Sequence, residues 1–248
     1  MEVYSSGKVL LTGEYVILDG ALSLAAPTKF GQYLRLRESE SNLINWKSIN
    51  FDGNIWFKCL ITSDTLKVKS TSSKKISNTL VEIINLIRDY NPTFLKKCGS
   101  DISTNLTFEK NLGLGSSSTL ISNLSKISGV NPYTLNNKIY KGSGYDIACA
   151  ESISPILYKL EKDRRTINQV SFKPSFNECI YFVYLNKKQN SFSEIKRYNK
   201  NKASISIINE ISNITSEILV CNSIDGFNKL IEAQELIISK LISKKTIK

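Results

Sequence analysis

A stretch of glycine and hydroxyl residues, Leu112 to Thr119, leads directly into an apolar segment with helical spacing. Gly113 and Gly115 allow the backbone to bend tightly and to approach a ligand closely. The first turn of the following helix offers unpaired N–H groups and the positive end of the helix dipole. We therefore interpret the stretch as a phosphate-binding loop that needs no lysine. The alternative is a Gly/Ser linker, but linkers are not usually followed by an apolar helical face.

Two common phosphate-binding motifs do not fit this loop. A Walker loop ends in Gly-Lys-Ser/Thr, and a dinucleotide fingerprint has a third glycine where Ser118 stands. The run Gly-Leu-Gly-Ser-Ser at 113–117 instead resembles the loop of the GHMP kinases, which include galactokinase, homoserine kinase, mevalonate kinase and phosphomevalonate kinase. The resemblance implies that the phosphates of ATP are bound by Gly113, Leu114, Gly115, Ser116, Ser117 and Ser118. It also implies that Ser117 is a ligand of Mg²⁺.

The amino-acid composition of the chain excludes several catalytic mechanisms and types of metal site. Its 248 residues are 41% hydrophobic, enough for a substantial core in one large or two small domains. The chain has no histidine, so Ser-His-Asp and Cys-His mechanisms and histidine-metal sites are excluded. The five cysteines are scattered, without a Cys-x-x-Cys pair, which argues against a disulfide framework or zinc site and favours a reducing cytoplasm. Neither a membrane span nor a signal peptide is expected.

The net charge of +11 suits an anionic partner, such as a phosphorylated metabolite, nucleic acid or a membrane surface. Because the lysines are dispersed along the chain, we expect a solvated basic surface and no nucleic-acid or membrane partner. The interval between Glu109 and Asp146 contains four lysines and no acidic residue, so a polyphosphate would meet no repulsion there. A small anionic substrate is the expected partner, and the oligomeric state is left open.

Two further segments resemble the GHMP kinases, in the order that the family has them. Residues 6–15 are similar to the first family motif, Gly-Lys-x-x-Leu-x-Gly-Glu, in which Lys8 and Glu14 match. Residues 142–148, Gly-Ser-Gly-Tyr-Asp-Ile-Ala, resemble the element that carries the catalytic aspartate of the family, which implies Asp146. Taken alone, Lys8 and Glu14 are also typical of a solvated lysine and a turn carboxylate.

The resemblance also implies roles for these residues. Asp146 would orient or deprotonate the acceptor, and Lys8 would keep Asp146 ionised and stabilise the transferring charge. The alternative for Asp146 is an N-cap of a helix predicted over 147–160, and both roles are compatible. The substrate cleft is expected to include Glu14, Gly144, Tyr145 and Ser191. The match of Ser191 is loose, and its loop at 186–191 is also typical of a solvated basic loop.

The implied fold is α+β with two domains. An N-terminal nucleotide-binding domain resembling ribosomal protein S5 is expected over 1–150, and an incomplete ferredoxin-like C-terminal domain over 151–248. A boundary near residue 144 is also indicated by glycine, since eleven of the twelve glycines lie at or before it. Periodicity further predicts strands at 15–18 and 179–185 and helices at 203–220 and 224–242.

We therefore expect a kinase that uses ATP and Mg²⁺ to phosphorylate a small alcohol or phosphate. The Gly-Ser-Gly-Tyr-Asp element favours an isoprenoid precursor, mevalonate or phosphomevalonate. Three family features have no counterpart in this sequence: the proline before the loop, the metal-binding glutamate and the third glycine-rich motif. The alternative is a kinase-derived protein that binds nucleotide or RNA without turnover. If the chain is shortened, the helix at 224–242 is expected to leave part of its apolar face uncovered.

Overall fold

The computed structural model describes residues 1–96, 98–140, 142–162, 164–184, 198 and 202–242. The chain forms two compact units. The first unit consists of residues 1–7 and 28–151, and the second of residues 8–27 and 152–248. Two strands, β1 (Glu2–Leu10) and β2 (Ser23–Ser39), contribute residues to both units.

The first unit is a mixed sheet with helices packed on it. Its other strands are β3 (Leu43–Ile49), β4 (Ile55–Thr62), β5 (Val68–Thr71) and β6 (Gly99–Leu106). The strand order is β5-β4-β3-β6-β2; β3 and β6 are parallel, and the other neighbours are antiparallel. The helices are α1 (Lys74–Tyr90), α2 (Ser116–Ser128), α3 (Pro132–Ile139) and α4 (Tyr145–Glu151). The helix α2, which the sequence predicts after the glycine loop, is thereby confirmed.

The core of this unit follows from two periodicities. Alternate strand residues such as Leu34, Ile44 and Ile102 are buried on one face of the sheet. Residues three and four apart on α1, including Ile83 and Ile87, pack against that face in the same apolar cluster. Full burial of each such side chain stabilises the fold by roughly 1.5–3 kcal/mol. The opposite face of the sheet carries the polar and charged residues of the alternation.

The second unit holds residues 8–27 together with the C-terminal part of the chain. Its further elements are β7 (Ile156–Glu161), β8 (Arg164–Gln169), α5 (Ile205–Val220) and α6 (Ile224–Ile242). The beginning of β2 pairs antiparallel with β7, and β7 pairs antiparallel with β8. Val16 and Leu24 lie in one apolar cluster with Ile211 and Ile218 of α5.

These contacts differ from the two consecutive domains expected from the sequence. The Thr215 hydroxyl donates to Thr12 Oγ1 at 2.8 Å, and the backbone N–H of Gly13 donates to Gln234 Oε1 at 2.8 Å. Polar and apolar contacts therefore both hold residues 8–27 in the second unit, although the sequence placed them in a domain over 1–150. The division after residue 151 lies close to the expected boundary.

Three local predictions are wrong. The strand expected at 15–18 is a 3₁₀ helix over Val16–Asp19, which begins after Tyr15 with a left-handed φ of 63°. The helix expected over 147–160 ends at Glu151, because Pro155 disfavours a helical conformation and the following residues pair as β7. Residues 180–184 of the strand expected at 179–185 have no regular structure, and Tyr181 is 79% exposed. Residue 185 lies outside the described residues.

The apolar face of α6 is covered better than expected. Phe227, Ile238 and Ile242 are buried, and they belong to the same cluster as Ile211 and Ile218 of α5. The helix at 224–242 is therefore confirmed, and most of its apolar face is covered, although Ile224 at its start is exposed. No helix in the described part of the chain is long and apolar enough to cross a membrane.

Arg88 of α1 holds two loops of the first unit together by hydrogen bonds. Replacing Arg88 tests how much these hydrogen bonds stabilise the fold. Its guanidinium donates at 2.5–3.1 Å to four backbone carbonyls, those of Ser63, Asp64, Phe94 and Leu95. Burial lowers the pKa of Arg88, although the carboxylate of Asp64 opposes that shift. We expect Arg88→Ala to lower the free energy of unfolding by about 2–4 kcal/mol, because the carbonyls lose their donors.

Urea denaturation measures this loss. Arg37→Ala is the matched control, since Arg37 is an exposed strand residue of the same unit. It should change the free energy of unfolding by less than about 0.5 kcal/mol. Equal unfolding midpoints for the two variants would show that the Arg88 hydrogen bonds contribute nothing.

Candidate functional site

The predicted phosphate loop has the local geometry of an anion site. Gly113 and Gly115 have left-handed φ angles of 79° and 89°, and α2 begins at Ser116. Among the described residues, no side chain caps this helix. The N–H groups of its first turn have no partner within the helix, and they carry the positive end of its dipole. A side chain at Gly113 would meet no atom within 4 Å, so the space beside the loop is open.

Hydrogen bonds inside the first unit fix the loop. Ser118 Oγ donates to the carbonyl of Gly115 at 2.8 Å, and Thr119 Oγ1 donates to Gln32 Oε1 of β2 at 3.0 Å. Ser118 and Leu114 are buried, whereas Ser117 is exposed. Of the predicted phosphate ligands, Ser118 can therefore contribute its backbone N–H, and the side chain of Leu114 serves packing.

The first motif contributes to this loop through Gly7. A Cβ on Gly7 would lie 2.8 Å from the carbonyl oxygen of Leu114 and 2.8 Å from Thr28 Oγ1. Only glycine therefore allows the loop backbone to pack directly on β1. This contact gives a physical reason for glycine at the start of the first motif, at a distance of more than 100 residues from the loop.

Asp146 lies in the first turn of α4. Gly144 has a left-handed φ of 86°, and α4 begins at Tyr145, so Asp146 is not the residue before the helix that an N-cap would occupy. Asp146 Oδ1 accepts a hydrogen bond from the backbone N–H of Ile147 at 3.1 Å. Ile147 is fully buried, and α4 packs against α2. The carboxylate is therefore held on a rigid part of the first unit.

Tyr140, which the sequence did not single out, links the loop to Asp146. Burial raises the pKa of the Tyr140 hydroxyl, a hydrogen bond with Ser117 opposes the shift, and the charges of Asp146 and Glu82 raise the pKa further. The predicted Mg²⁺ ligand and the predicted base therefore belong to one cluster around this phenol. Tyr140 precedes Asp146 by six residues and matches no motif, so only the fold shows its position.

The other predicted site residues are divided between the two units. Lys8, a half-buried residue of β1, and Glu14, an exposed turn residue, belong to the second unit, whereas the loop and Asp146 belong to the first. Between them, Gly13 has a φ of 83°, and a Cβ there would lie 2.0 Å from Ser23 Oγ. The roles of Lys8, Glu14 and Tyr145 stay predictions. Ser191 lies outside the described residues.

The cluster in the first unit offers oxygen ligands of the kind that Mg²⁺ prefers. Protein sites for Mg²⁺ commonly use one or two carboxylates together with phosphates and water. The Ser117 hydroxyl and the carboxylates of Asp146 and Glu82 all act on Tyr140. Glu82 of α1 is an exposed carboxylate whose charge also raises the pKa of Tyr140, whereas α3 contains no acid. Ser117 and Asp146 are therefore the candidate oxygen donors for a magnesium-nucleotide complex.

Several of the solved structures with the same fold are kinases of small metabolites. The mevalonate kinase of Methanococcus jannaschii has 16% identity and a TM-score of 0.66, and the match covers 97% of this chain and 79% of that one. The phosphomevalonate kinase of Streptococcus pneumoniae, solved with phosphomevalonate and AMPPNP, has 15% identity and a TM-score of 0.71, with 97% and 80% covered. The galactokinase of Lactococcus lactis, complexed with galactose, has 13% identity and a TM-score of 0.66, with 99% and 76% covered.

These similarities confirm the predicted fold class. The chain is α+β and has the GHMP kinase fold over nearly its whole length. No family model matches the sequence, and no curated protein matches it either. At these identities the similarity establishes the fold, and the activity has to be argued from the residues of the site.

Proposed function

We propose that the protein is an ATP-dependent kinase that transfers the γ-phosphoryl group to a small alcohol or phosphate acceptor. One observation carries the proposal: the start of α2, the Ser117 hydroxyl and the Asp146 carboxylate belong to one cluster around Tyr140. Phosphoryl transfer depends mainly on positioning and on electrostatic stabilisation, and this cluster can supply both. The similarity in fold to the mevalonate kinase and galactokinase structures supports the same reaction class.

Each part of the cluster has a chemical task in this reaction. The N–H groups at the start of α2 hold the phosphates of ATP, and the acid-free interval around them avoids repulsion. Asp146 accepts the proton of an alcohol acceptor, or orients a phosphate acceptor, while the acceptor oxygen bonds to the γ-phosphorus and ADP leaves. Ser117 and a carboxylate would hold Mg²⁺ together with the nucleotide, and the ion would supply positive charge against the phosphates. Tyr140 is protonated at neutral pH, as tyrosine is even at its ordinary pKa, and its hydrogen bond with Ser117 positions that hydroxyl.

For the acceptor, we propose an isoprenoid precursor, mevalonate or phosphomevalonate. The Gly-Ser-Gly-Tyr-Asp element at 142–146 favours this class. Within it, Gly144 has a left-handed φ and Ser143 is buried, so these two residues set the backbone conformation just before Asp146. The similarity in fold to the phosphomevalonate kinase of Streptococcus pneumoniae supports the same choice. A cytoplasmic location is proposed with it, because free cysteines and a soluble phosphorylated substrate suit that compartment.

A comparison of acceptors tests the proposal. ATP consumption is measured with mevalonate, phosphomevalonate, homoserine and galactose, each with Mg²⁺ and again with an excess of chelator. We expect turnover with one of the two isoprenoid precursors only, and its loss when the metal is removed. Binding of ATP measured by calorimetry without consumption on any acceptor would contradict the proposal and would favour the alternative, a nucleotide-binding protein without turnover.

A further inference from the structure

The face of the first-unit sheet opposite the apolar core carries an ordered group of exposed residues. We call it the open face and define it by Tyr33, Arg35, Lys47, Lys58 and Ser103. All five alternate with buried residues of β2, β3, β4 and β6, and four of them are exposed, whereas Ser103 is half-buried. Two neighbouring features of this face, a row of cations and a cleft, point to the same kind of ligand.

The cations of the open face form a row across four strands. Lys58 of β4 is paired with Lys47 of β3, Lys47 with Ser103 of β6, and Ser103 with Arg35 of β2. Since neighbouring strands lie about 4.8 Å apart, the row spans roughly 14 Å. Like charges directly opposite each other destabilise a sheet, so the Lys47–Lys58 pair is unfavourable without an anion.

The carboxylates near this row neutralise Arg35 but not the two lysines. Glu2 forms an ion pair with Arg35 at 2.6 Å, and Asp101, one row away, accepts a hydrogen bond from Asn45 at 2.8 Å. Among the described residues, neither Lys47 nor Lys58 takes part in an ion pair. The row therefore offers two uncompensated ammonium groups side by side.

A cleft of about 430 Å³ lies next to the row. Its lining includes Arg35, two exposed rings, Tyr33 and Phe51, and two amides, Asn50 and Asn105. Tyr33 is 39% exposed and Phe51 is 56% exposed, although aromatic rings of this size are usually covered. Tyr33 is paired with Asn105 across β2 and β6, one row along the strands from Arg35 and Ser103. The rings, amides and cations are therefore neighbours on one surface.

We propose that the open face binds single-stranded nucleic acid. Exposed rings stack on bases, side-chain amides donate to and accept from base edges, and a row of cations follows the phosphates. An anionic membrane would use the cations, but it would not need amides inside a cleft. The row and the cleft lie on the sheet face opposite the apolar core, and Lys47, Lys58 and Phe51 take no part in the proposed kinase reaction.

Fluorescence anisotropy with labelled oligonucleotides of about 12 nucleotides, RNA and DNA, tests the proposal. We expect single strands to bind more tightly than a duplex, with an affinity that falls steeply as salt rises. Lys47→Gln with Lys58→Gln removes two phosphate contacts and should lower the slope of log affinity against log salt by about 1.4. Phe51→Ala should weaken binding by about 5- to 150-fold through loss of stacking.

The control removes the same charge elsewhere in the first unit. Lys74→Gln with Lys75→Gln changes two exposed lysines at the start of α1 and should leave oligonucleotide binding within about twofold of the parent. The Lys47/Lys58 variant should melt at the same temperature as the parent or higher, because a like-charge pair is removed. Its rate of phosphoryl transfer should be unchanged.

Four results would overturn the proposal. The first is no oligonucleotide binding at low salt. The second is an equal loss in the two lysine variants, which would mean that net charge alone attracts the oligonucleotide. The third is binding to vesicles of phosphatidylserine and phosphatidylcholine that requires Lys47 and Lys58 while single strands do not compete, since that outcome identifies a membrane surface. Competition by ATP with unchanged affinity in the Lys47/Lys58 variant would place the oligonucleotide in the kinase site and count against the open face.

Discussion

Asp146→Asn is expected to lower turnover by roughly 10²–10⁴ while ATP binding stays nearly intact. The amide oxygen of Asn can still accept the hydrogen bond from the N–H of Ile147, so α4 keeps its local geometry. Asn cannot take the proton of the acceptor, because an amide is not a base at neutral pH. Steady-state kinetics on the accepted substrate measure kcat, and calorimetry measures the affinity for ATP.

Asp89→Asn is the matched control for this substitution. Asp89 is an exposed carboxylate in the last turn of α1 and has no role in the proposed reaction. It should leave kcat and ATP affinity at the level of the parent. If Asp146→Asn and the parent have equal kcat values, Asp146 is not the base, and the reaction proposed for the cluster around Tyr140 has to be abandoned.

Gly115→Val is expected to abolish nucleotide binding. Gly115 has a φ of 89° at the start of α2, a conformation that a β-branched residue adopts only under strain. The side chain would also fill space beside the N–H groups that are proposed to hold the phosphates. Calorimetry with ATP measures the loss, and circular dichroism with thermal melting shows whether the variant is folded.

A glycine at the other end of α2 provides a control. It separates the effect of backbone strain from the effect of blocking the phosphate site. Gly129 ends α2 with a φ of 74°, and a side chain there would meet no atom within 4 Å. Gly129→Val should therefore cost a similar backbone strain, about 1–3 kcal/mol, without touching the loop. Loss of ATP binding in both variants would attribute the effect to destabilisation, and unchanged affinity in a folded Gly115→Val would return the loop to the linker interpretation.

The sequence predicted those loops and helices whose conformation depends on residues close together in the chain. The loop at 113–118 and the helix after it were predicted from two glycines and an apolar helical face, and both glycines do adopt left-handed φ angles. The helix at 224–242 has the bounds that its periodicity indicated. These features were predictable because backbone freedom and helical spacing are properties of a short window.

Predictions failed where the partner of a segment is distant in the chain. Residues 156–161 have an apolar pattern that suits a helix or a strand, and pairing with β2 and β8 decides for the strand. Residues 180–184 have the composition of a strand, but they pair with no described strand, and Phe182 is 57% exposed. Composition sets a preference for strand, and a pairing partner is needed to realise it.

The amino-acid sequence alone determined a glycine loop at the start of a helix and, by resemblance, a candidate base at Asp146 and the class of fold. The tertiary structure alone decided that residues 8–27 pack in the second unit, that Tyr140 joins Ser117 to Asp146, and that dispersed lysines align on the open face. The physical reason is the range of the interactions. A glycine loop is encoded by neighbours, whereas strand register and burial bring together residues whose separation along the chain carries no signal.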